Sequence, residues 1–298
     1  MINLENTGII PQGACLQIWH SAQVFLVALV IGLTACASDT SKLPGTQSTM
    51  VDGVRISFAQ SGAAEPIVVL ENGLASKKEV WAAVQAEVAK THTVLAYDRP
   101  GQGASSSSST PRIGSRIVED LRSLLKSQNL EPPYVLVGHS MGGLYMQLYA
   151  RKYPQEVAGL VLVESTHPLH FAGEGDMKNR SALSRAIMAV GMWGNASEEF
   201  QNTNSTGQEV MSLPPLATNI PAVILIAPQH PAGSRATDAA VEDFDNRMRW
   251  DFARLYPSAT VRETHTSHMV HRDNPGLVVG AIREVLDSAR GNRFISNR

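Results

Sequence analysis

Residues 134–144, Tyr-Val-Leu-Val-Gly-His-Ser-Met-Gly-Gly-Leu, constrain this chain more than any other stretch. A short apolar run leads straight into Gly138-His139-Ser140-Met141-Gly142, and helix-compatible sequence continues from Leu144 to Tyr153. In a strand–turn–helix corner of this kind the serine is held in a strained backbone conformation that lifts its hydroxyl above the sheet. Gly138 and Gly142 leave room for the tight turn and for close helix–strand packing. The N–H of Met141 then lies at a helix N-terminus, where partial positive charge suits a developing oxyanion. Five motif letters alone occur often by chance, so the flanking strand and helix patterns carry the argument. They make Ser140 the candidate nucleophile.

The same rhythm runs through the rest of the chain. Val54–Phe58 alternates as a half-buried strand does, after a turn marked by Gly53. Pro66–Leu70, Thr93–Tyr97, Val157–Val163 and Ala222–Ile226 are continuous apolar runs, as expected of strands buried on both faces. Between them, Trp81, Val84 and Val88 recur at helical spacing, and Ile117, Leu121, Leu124 and Leu125 share one face of a helix predicted over 115–127. Further helices are predicted over 235–255 and 275–289, with a strand near 259–263. Strands alternating with helices imply an α/β fold, a mainly parallel sheet covered on both faces. The rhythm breaks over 167–216, a polar insertion carrying Phe171, Met188, Met192, Trp193 and Phe200. Its position makes it a lid or cap, with a solvated excursion around a small satellite core as the alternative. The core segments are therefore 51–166 and 217–298.

With 298 residues the chain can bury a substantial core, and its net charge of -2 is spread without any basic run that would mark a nucleic-acid partner. The two cysteines, Cys15 and Cys36, both precede the predicted fold, so neither a zinc cluster nor a disulfide is expected within it.

A serine hydroxyl needs an adjacent base, itself oriented by an acid. His139 adjoins Ser140 in sequence but points elsewhere on a sharp turn, and is read as a structural residue of the corner. The base is expected late in the chain, where His265, His268 and His271 crowd the loop before the last predicted helix.

With these residues in place, the sequence resembles the α/β-hydrolase superfamily, close to its lidded esterases, over about residues 51–289. The resemblance implies the α/β-hydrolase fold and assigns the base. In that family a Gly/Ser-His pair precedes the final helix and a proline lies seven residues beyond the histidine. Ser267, His268 and Pro275 fit that spacing, and His265 and His271 do not. Asn72-Gly73-Leu74 resembles the family's His-Gly-x oxyanion segment with Asn in place of His, which pairs the N–H of Leu74 with that of Met141. Asp98-Arg99-Pro100-Gly101-Gln102-Gly103-Ala104-Ser105 matches a family turn that supports the site structurally. The acid is less regular. Most members place it in the loop after the strand at 221–226, which here has no carboxylate before Asp238. Some take it from the end of the preceding core strand, where Glu164 stands. A carboxylate closing a Val/Leu run is costly unless partnered, which favours Glu164, with Asp238 as the alternative.

The expected activity is that of a serine hydrolase acting on a small or medium apolar carboxylic ester, without metal or organic cofactor. Serine at this corner argues against halide and epoxide cleavage, which use aspartate there. A lactonase, an aminopeptidase and a hydrolase-fold binding protein without turnover are the alternatives. A peptidase would be expected to present a lid carboxylate to a substrate amine, and Glu174, Asp176, Glu198 and Glu199 are available.

Before the fold, residues 24–35 are uncharged and too short to span a bilayer, but suit the apolar core of a signal peptide covering 1–35. Leu33-Thr34-Ala35-Cys36 resembles the lipobox of bacterial lipoproteins, in which the cysteine is lipidated. The pattern departs from that family in having no Lys or Arg before Lys42. The implied location is the bacterial cell envelope, lipid-anchored to a membrane at Cys36, with periplasmic or secreted protein as the alternative. Residues 36–50 are then read as a flexible tether.

Overall fold

Apolar runs of four to eight residues, rich in Val, Ile and Leu, satisfy their backbone groups by pairing with one another and leave both faces to be covered. The computed structural model of the chain describes residues 43–182, 185–186, 194–227 and 239–296. Its strands are β1 (Thr46–Val51), β2 (Val54–Ser61), β3 (Ile67–Glu71), β4 (Val94–Tyr97), β5 (Tyr134–His139), β6 (Val157–Val163), β7 (Ala222–Ile226) and β8 (Thr260–Glu263). They form one sheet in the order β1-β2-β4-β3-β5-β6-β7-β8. The β1–β2 and β2–β4 pairs are antiparallel and every later pair is parallel.

The helices are α1 (Ala82–Val88), α2 (Gly114–Ser127), α3 (Met141–Lys152), α4 (Asn195–Gln201), α5 (Thr203–Ser212), α6 (Ala239–Leu255), α7 (Val270–Asp273) and α8 (Pro275–Ser296). The period-2 geometry of a strand splits each apolar run between two cores. Leu136, Leu160, Leu162 and Ile224 face a core shared with Leu121, Leu144 and Leu148 of α2 and α3. Val135, Val137, Val161, Val163 and Val223 face a second core with Val84 of α1 and Val278, Ile282 and Val285 of α8. This is the α/β-hydrolase fold, with helices on both faces of a mainly parallel sheet.

One boundary differs from the sequence reading. Residues 46–50, expected to belong to a tether, form most of β1, hydrogen-bonded to β2 from Thr46↔Ala59 to Val51↔Val54. Asp52 and Gly53 both adopt positive φ, 48° and 79°, the two-residue hairpin geometry that an Asp-Gly pair favours. The ordered fold starts no later than Leu43, which is buried in the second core. An edge strand needs one apolar face at most, so its polar composition concealed it.

The described part of the insertion is built onto the main core. Val210 of α5 is fully buried among the residues of α2 and α3, so a separate satellite core does not account for it. Phe171 and Phe200 meet edge to face with ring centroids 5.5 Å apart. Met188, Met192, Trp193, Asp238 and the N-terminal segment with Cys36 lie outside the described residues. Among those described, no helix is long and apolar enough to cross a membrane.

Candidate active site

In a parallel sheet, ligands meet the carboxyl ends of strands where successive connections leave in opposite directions. Here β3 has β4 on one side and β5 on the other, so that point lies between the loops following β3 and β5. These loops carry Asn72-Gly73-Leu74 and Ser140.

Ser140 separates β5 from α3 with φ 52° and ψ −122°, outside the regions that side chains favour. Its N–H donates to the Val163 carbonyl at 3.2 Å, and its carbonyl accepts from Gly143 and Thr166. Ser140 is half-buried while every residue from Tyr134 to His139 and from Met141 to Ala150 is buried. The two glycines of the corner are required by contact. A Cβ on Gly138 would stand 2.6 Å from the Gly142 carbonyl oxygen, and one on Gly142 would stand 2.3 Å from that of Asn72.

That second contact fixes the Asn72–Leu74 turn against the start of α3. Arg99, wholly buried, donates to the Asn72 carbonyl at 2.7 Å and to the Gly73 carbonyl at 3.0 Å. In a trans peptide the C=O and N–H point in opposite directions, so the Leu74 N–H is directed away from Arg99. Gly73 itself abuts the corner, since a Cβ there would lie 3.4 Å from Cβ of Ser140. The Asn72 amide donates to the Tyr97 carbonyl at 2.7 Å and ties the turn to β4.

Arg99 is held from the other side by Glu199 of α4, its Nε lying 3.0 Å from Oε2, with Gln102 Nε2 donating to the same oxygen at 2.8 Å. Glu71, accepting from Arg99 and from the Tyr97 hydroxyl, completes a cluster that solvent does not reach. Burial opposes the charge on Arg99, but Glu199 and Glu71 outweigh it and hold the guanidinium charged. The insertion is thus pinned to the turn beside Ser140. A further contact joins the Thr203 hydroxyl to the Met141 sulfur at 3.7 Å.

Glu164 follows β6 directly, also at positive φ, 43°. Its carboxylate is buried and accepts from the Ala227 N–H through Oε2 and from Arg249 Nε of α6 through Oε1, each at 2.6 Å. His268 arrives on the loop between β8 and α7, and its Nδ1 lies 3.9 Å from the same Oε1. Burial pushes the Glu164 carboxyl up, yet His268 and Arg249 outweigh it and hold the group below the usual carboxylate range. The side chain of His268 is 45% exposed, within reach of an incoming molecule.

The neighbouring histidines divide as their surroundings dictate. His265 is exposed. His271 is buried, its ring 4.5 Å from Trp81 and 4.4 Å from His139, and burial brings its pKa down to about 3. His139 has a role that the sequence reading missed. Its Nε2 lies 2.8 Å from the backbone carbonyl of His268, and because a carbonyl only accepts, Nε2 carries the proton. Burial and the two adjacent histidines hold His139 well below the usual imidazole range, so it stays neutral. No sequence signal distinguishes it, because its partner is a backbone atom 129 residues away.

The four insertion carboxylates considered for a substrate amine are each engaged. Glu199 faces Arg99, and Glu198 accepts from the Arg112 N–H at 3.0 Å. Glu174 pairs with Arg247 at the surface, and Asp176 accepts from the Lys178 N–H at 3.0 Å. Among the described residues no cluster of His, Cys, Asp and Glu is placed to hold a metal ion.

A strained serine after β5, a carboxylate after β6 and a histidine on the loop after β8 thus stand at the carboxyl ends of parallel strands, where hydrolases of an α/β sheet carry their sites. Comparison agrees with that class. A family profile described as alpha/beta hydrolase fold matches residues 66–185 of this chain. Among individual proteins it resembles YqjL of Bacillus subtilis, with 26% identity over 231 residues, covering 76% of this chain and 85% of that one. A thermophilic esterase from Thermogutta terrifontis, solved with malate bound, shares the fold with a TM-score of 0.58 at 20% identity, covering 84% of this chain and 99% of that one. A Pseudomonas aeruginosa protein solved as a candidate epoxide hydrolase gives a TM-score of 0.58 at 14% identity, covering 85% and 99%. At these identities the likeness to solved structures is one of fold.

Proposed function

We propose that this chain is a serine hydrolase that cleaves carboxylic esters of small or medium apolar groups through an acyl-enzyme at Ser140. One observation carries the reading. Two strained non-glycine residues, Ser140 and Glu164, close neighbouring parallel strands, and His268 Nδ1 stands 3.9 Å from Glu164 Oε1. That separation exceeds a hydrogen bond and falls among distances that tighten when substrate binds.

Ser140 Oγ attacks the ester carbonyl while His268 takes its proton and passes it to the leaving alcohol. The N–H groups of Leu74 and Met141 meet the oxyanion, and Glu164 keeps the Nδ1–H of His268 oriented. Water, deprotonated by His268, then releases the acid and restores the serine. These steps call on no metal or organic cofactor. The engaged state of Glu174, Asp176, Glu198 and Glu199 favours an ester over a peptide with a free amine. Residues 167–216 are read as the cap over this site.

The test is hydrolysis of p-nitrophenyl acetate, butyrate and octanoate by residues 37–298, with mass analysis after a fluorophosphonate. Turnover on at least one ester and a single phosphonylated peptide containing Ser140 are expected. Absence of both would sink the esterase reading in favour of a binding protein.

For the N-terminus, the support is sequence alone. We read residues 1–35 as an export signal and Cys36 as the lipid-bearing first residue of an envelope protein. The intact mass of the chain recovered from membranes is expected to fit a start at Cys36 plus a diacylglyceryl group. A mass that retains Met1 would overturn this.

A further inference from the structure

Among the described residues, Arg249 is the side-chain contact of Glu164 that the hydrolytic steps do not use. It projects from α6, a helix far along the chain, and its guanidinium is mostly buried at 12% exposure. Its Nη1 donates to the Asn246 amide oxygen at 3.1 Å, and its Nε donates to Glu164 Oε1 at 2.6 Å. Oε1 is the oxygen nearest His268, so one carboxylate oxygen serves two cationic or potentially cationic partners. The other oxygen is taken by the Ala227 N–H at 2.6 Å. The carboxylate therefore has no freedom to rotate away from His268, and the residue bearing it is itself in a strained conformation.

We propose that Arg249 is a positioning residue of this site, clamping Glu164 Oε1 where it meets His268 and keeping that carboxylate available down to lower pH. The inference rests on the serine-hydrolase reading and adds to it a residue on α6. A buried carboxylate without a cation favours its protonated form, and once protonated it no longer supports an imidazolium. Arg249 opposes that by charge and by hydrogen bond, in line with the lowered range of the Glu164 carboxyl. Removing the guanidinium leaves Glu164 protonated at a higher pH, so activity that needs the carboxylate is lost at a higher pH than in the wild type.

The other titratable groups near the pair, among the described residues, do not confuse this readout. His139 from β5 and His271 from α7 are held neutral by burial, His271 with a pKa of about 3. On the α6 side Asp245 is engaged by Arg180 at 3.0 Å and lies 3.5 Å from His170. Burial lowers His170 to about 4, so it too is neutral over the range of interest. Asp273 accepts from the Ser267 N–H at 2.7 Å, and hydrogen bonds from Ser267 hold its carboxyl below the usual range.

The experiment compares wild type, Arg249→Met and Arg249→Lys by two measurements. The first is kcat and KM for p-nitrophenyl butyrate between pH 5 and 9. In Arg249→Met the acid limb is expected to move up by about one pH unit, with kcat at pH 6 down about tenfold, KM within about twofold, and the rate largely recovered at pH 8.5. Arg249→Lys is expected to keep the wild-type limb. The second measurement is carboxyl-carbon NMR titration of Glu164, which does not depend on turnover. Its midpoint is expected to rise in Arg249→Met and to stay in Arg249→Lys. A rate lowered equally at every pH, with an unmoved Glu164 titration, would mean Arg249 merely supports the fold and would overturn the proposal. A Glu164 titration that moves in a protein with no ester turnover would uphold the clamp and reject the esterase reading.

Discussion

Glu164→Gln is expected to lower kcat by about three to four orders of magnitude while leaving KM within a few-fold, as measured on any ester the wild type turns over. The reason lies in the number of donors around the carboxylate. Ala227 N–H, Arg249 Nε and His268 Nδ1 all approach the two oxygens, and a carboxylate can accept from all three. An amide has one oxygen and one NH2, so one side meets donors with a donor. If the NH2 turns toward Ala227, the backbone N–H is left buried and unpaired. If it turns toward Arg249 and His268, the histidine loses the partner that sets its tautomer. The first leaves His268 beside a neutral oxygen that no longer balances an imidazolium, and the second removes the orientation on which proton transfer from Ser140 depends. Turnover within tenfold of wild type would move the acid elsewhere, with Asp238 first in line.

Glu199→Gln is expected to act on stability. It leaves Arg99 buried with one of its two carboxylates gone, and breaking a buried pair from one side costs about 3–5 kcal/mol. The loss should appear as a lower urea midpoint and as faster amide exchange across α4 and the Asn72–Leu74 turn, because Arg99 binds both. The same contacts predict that the insertion is fixed at its α4 end. An unchanged midpoint would mean that the cluster is not under the strain of desolvation that its burial implies.

Much of the fold is legible in the chain. The apolar runs at Pro66–Leu70, Thr93–Tyr97, Tyr134–Val137, Val157–Val163 and Ala222–Ile226 appear as β3 to β7, because strands covered on both faces have no polar side to obscure them. Helix α2 falls within a residue of the predicted 115–127, since one apolar stripe dictates which face packs. Strand β1 was missed, as an exposed edge imposes little on its side chains. The positive φ of Ser140 agrees with the strain that its Gly-x-Ser-x-Gly setting implies. The position of Glu164 at the end of β6 was also legible, from the cost of ending a Val/Leu run in a carboxylate.

Three relations were out of reach. Arg99 was recognised only as part of a supporting turn, and its link to Glu199 spans 100 residues. The bond from His139 to the His268 carbonyl spans 129, and Arg249 lies 85 residues from Glu164. Sequence by itself determined the buried strands, the strained corner at Ser140 and the residue types available for chemistry, because these depend on local sterics and on the period of apolar burial. Only the tertiary structure decided which charges meet. Pairing of buried ions is set by the packing of distant elements, and neither spacing nor composition records that distance.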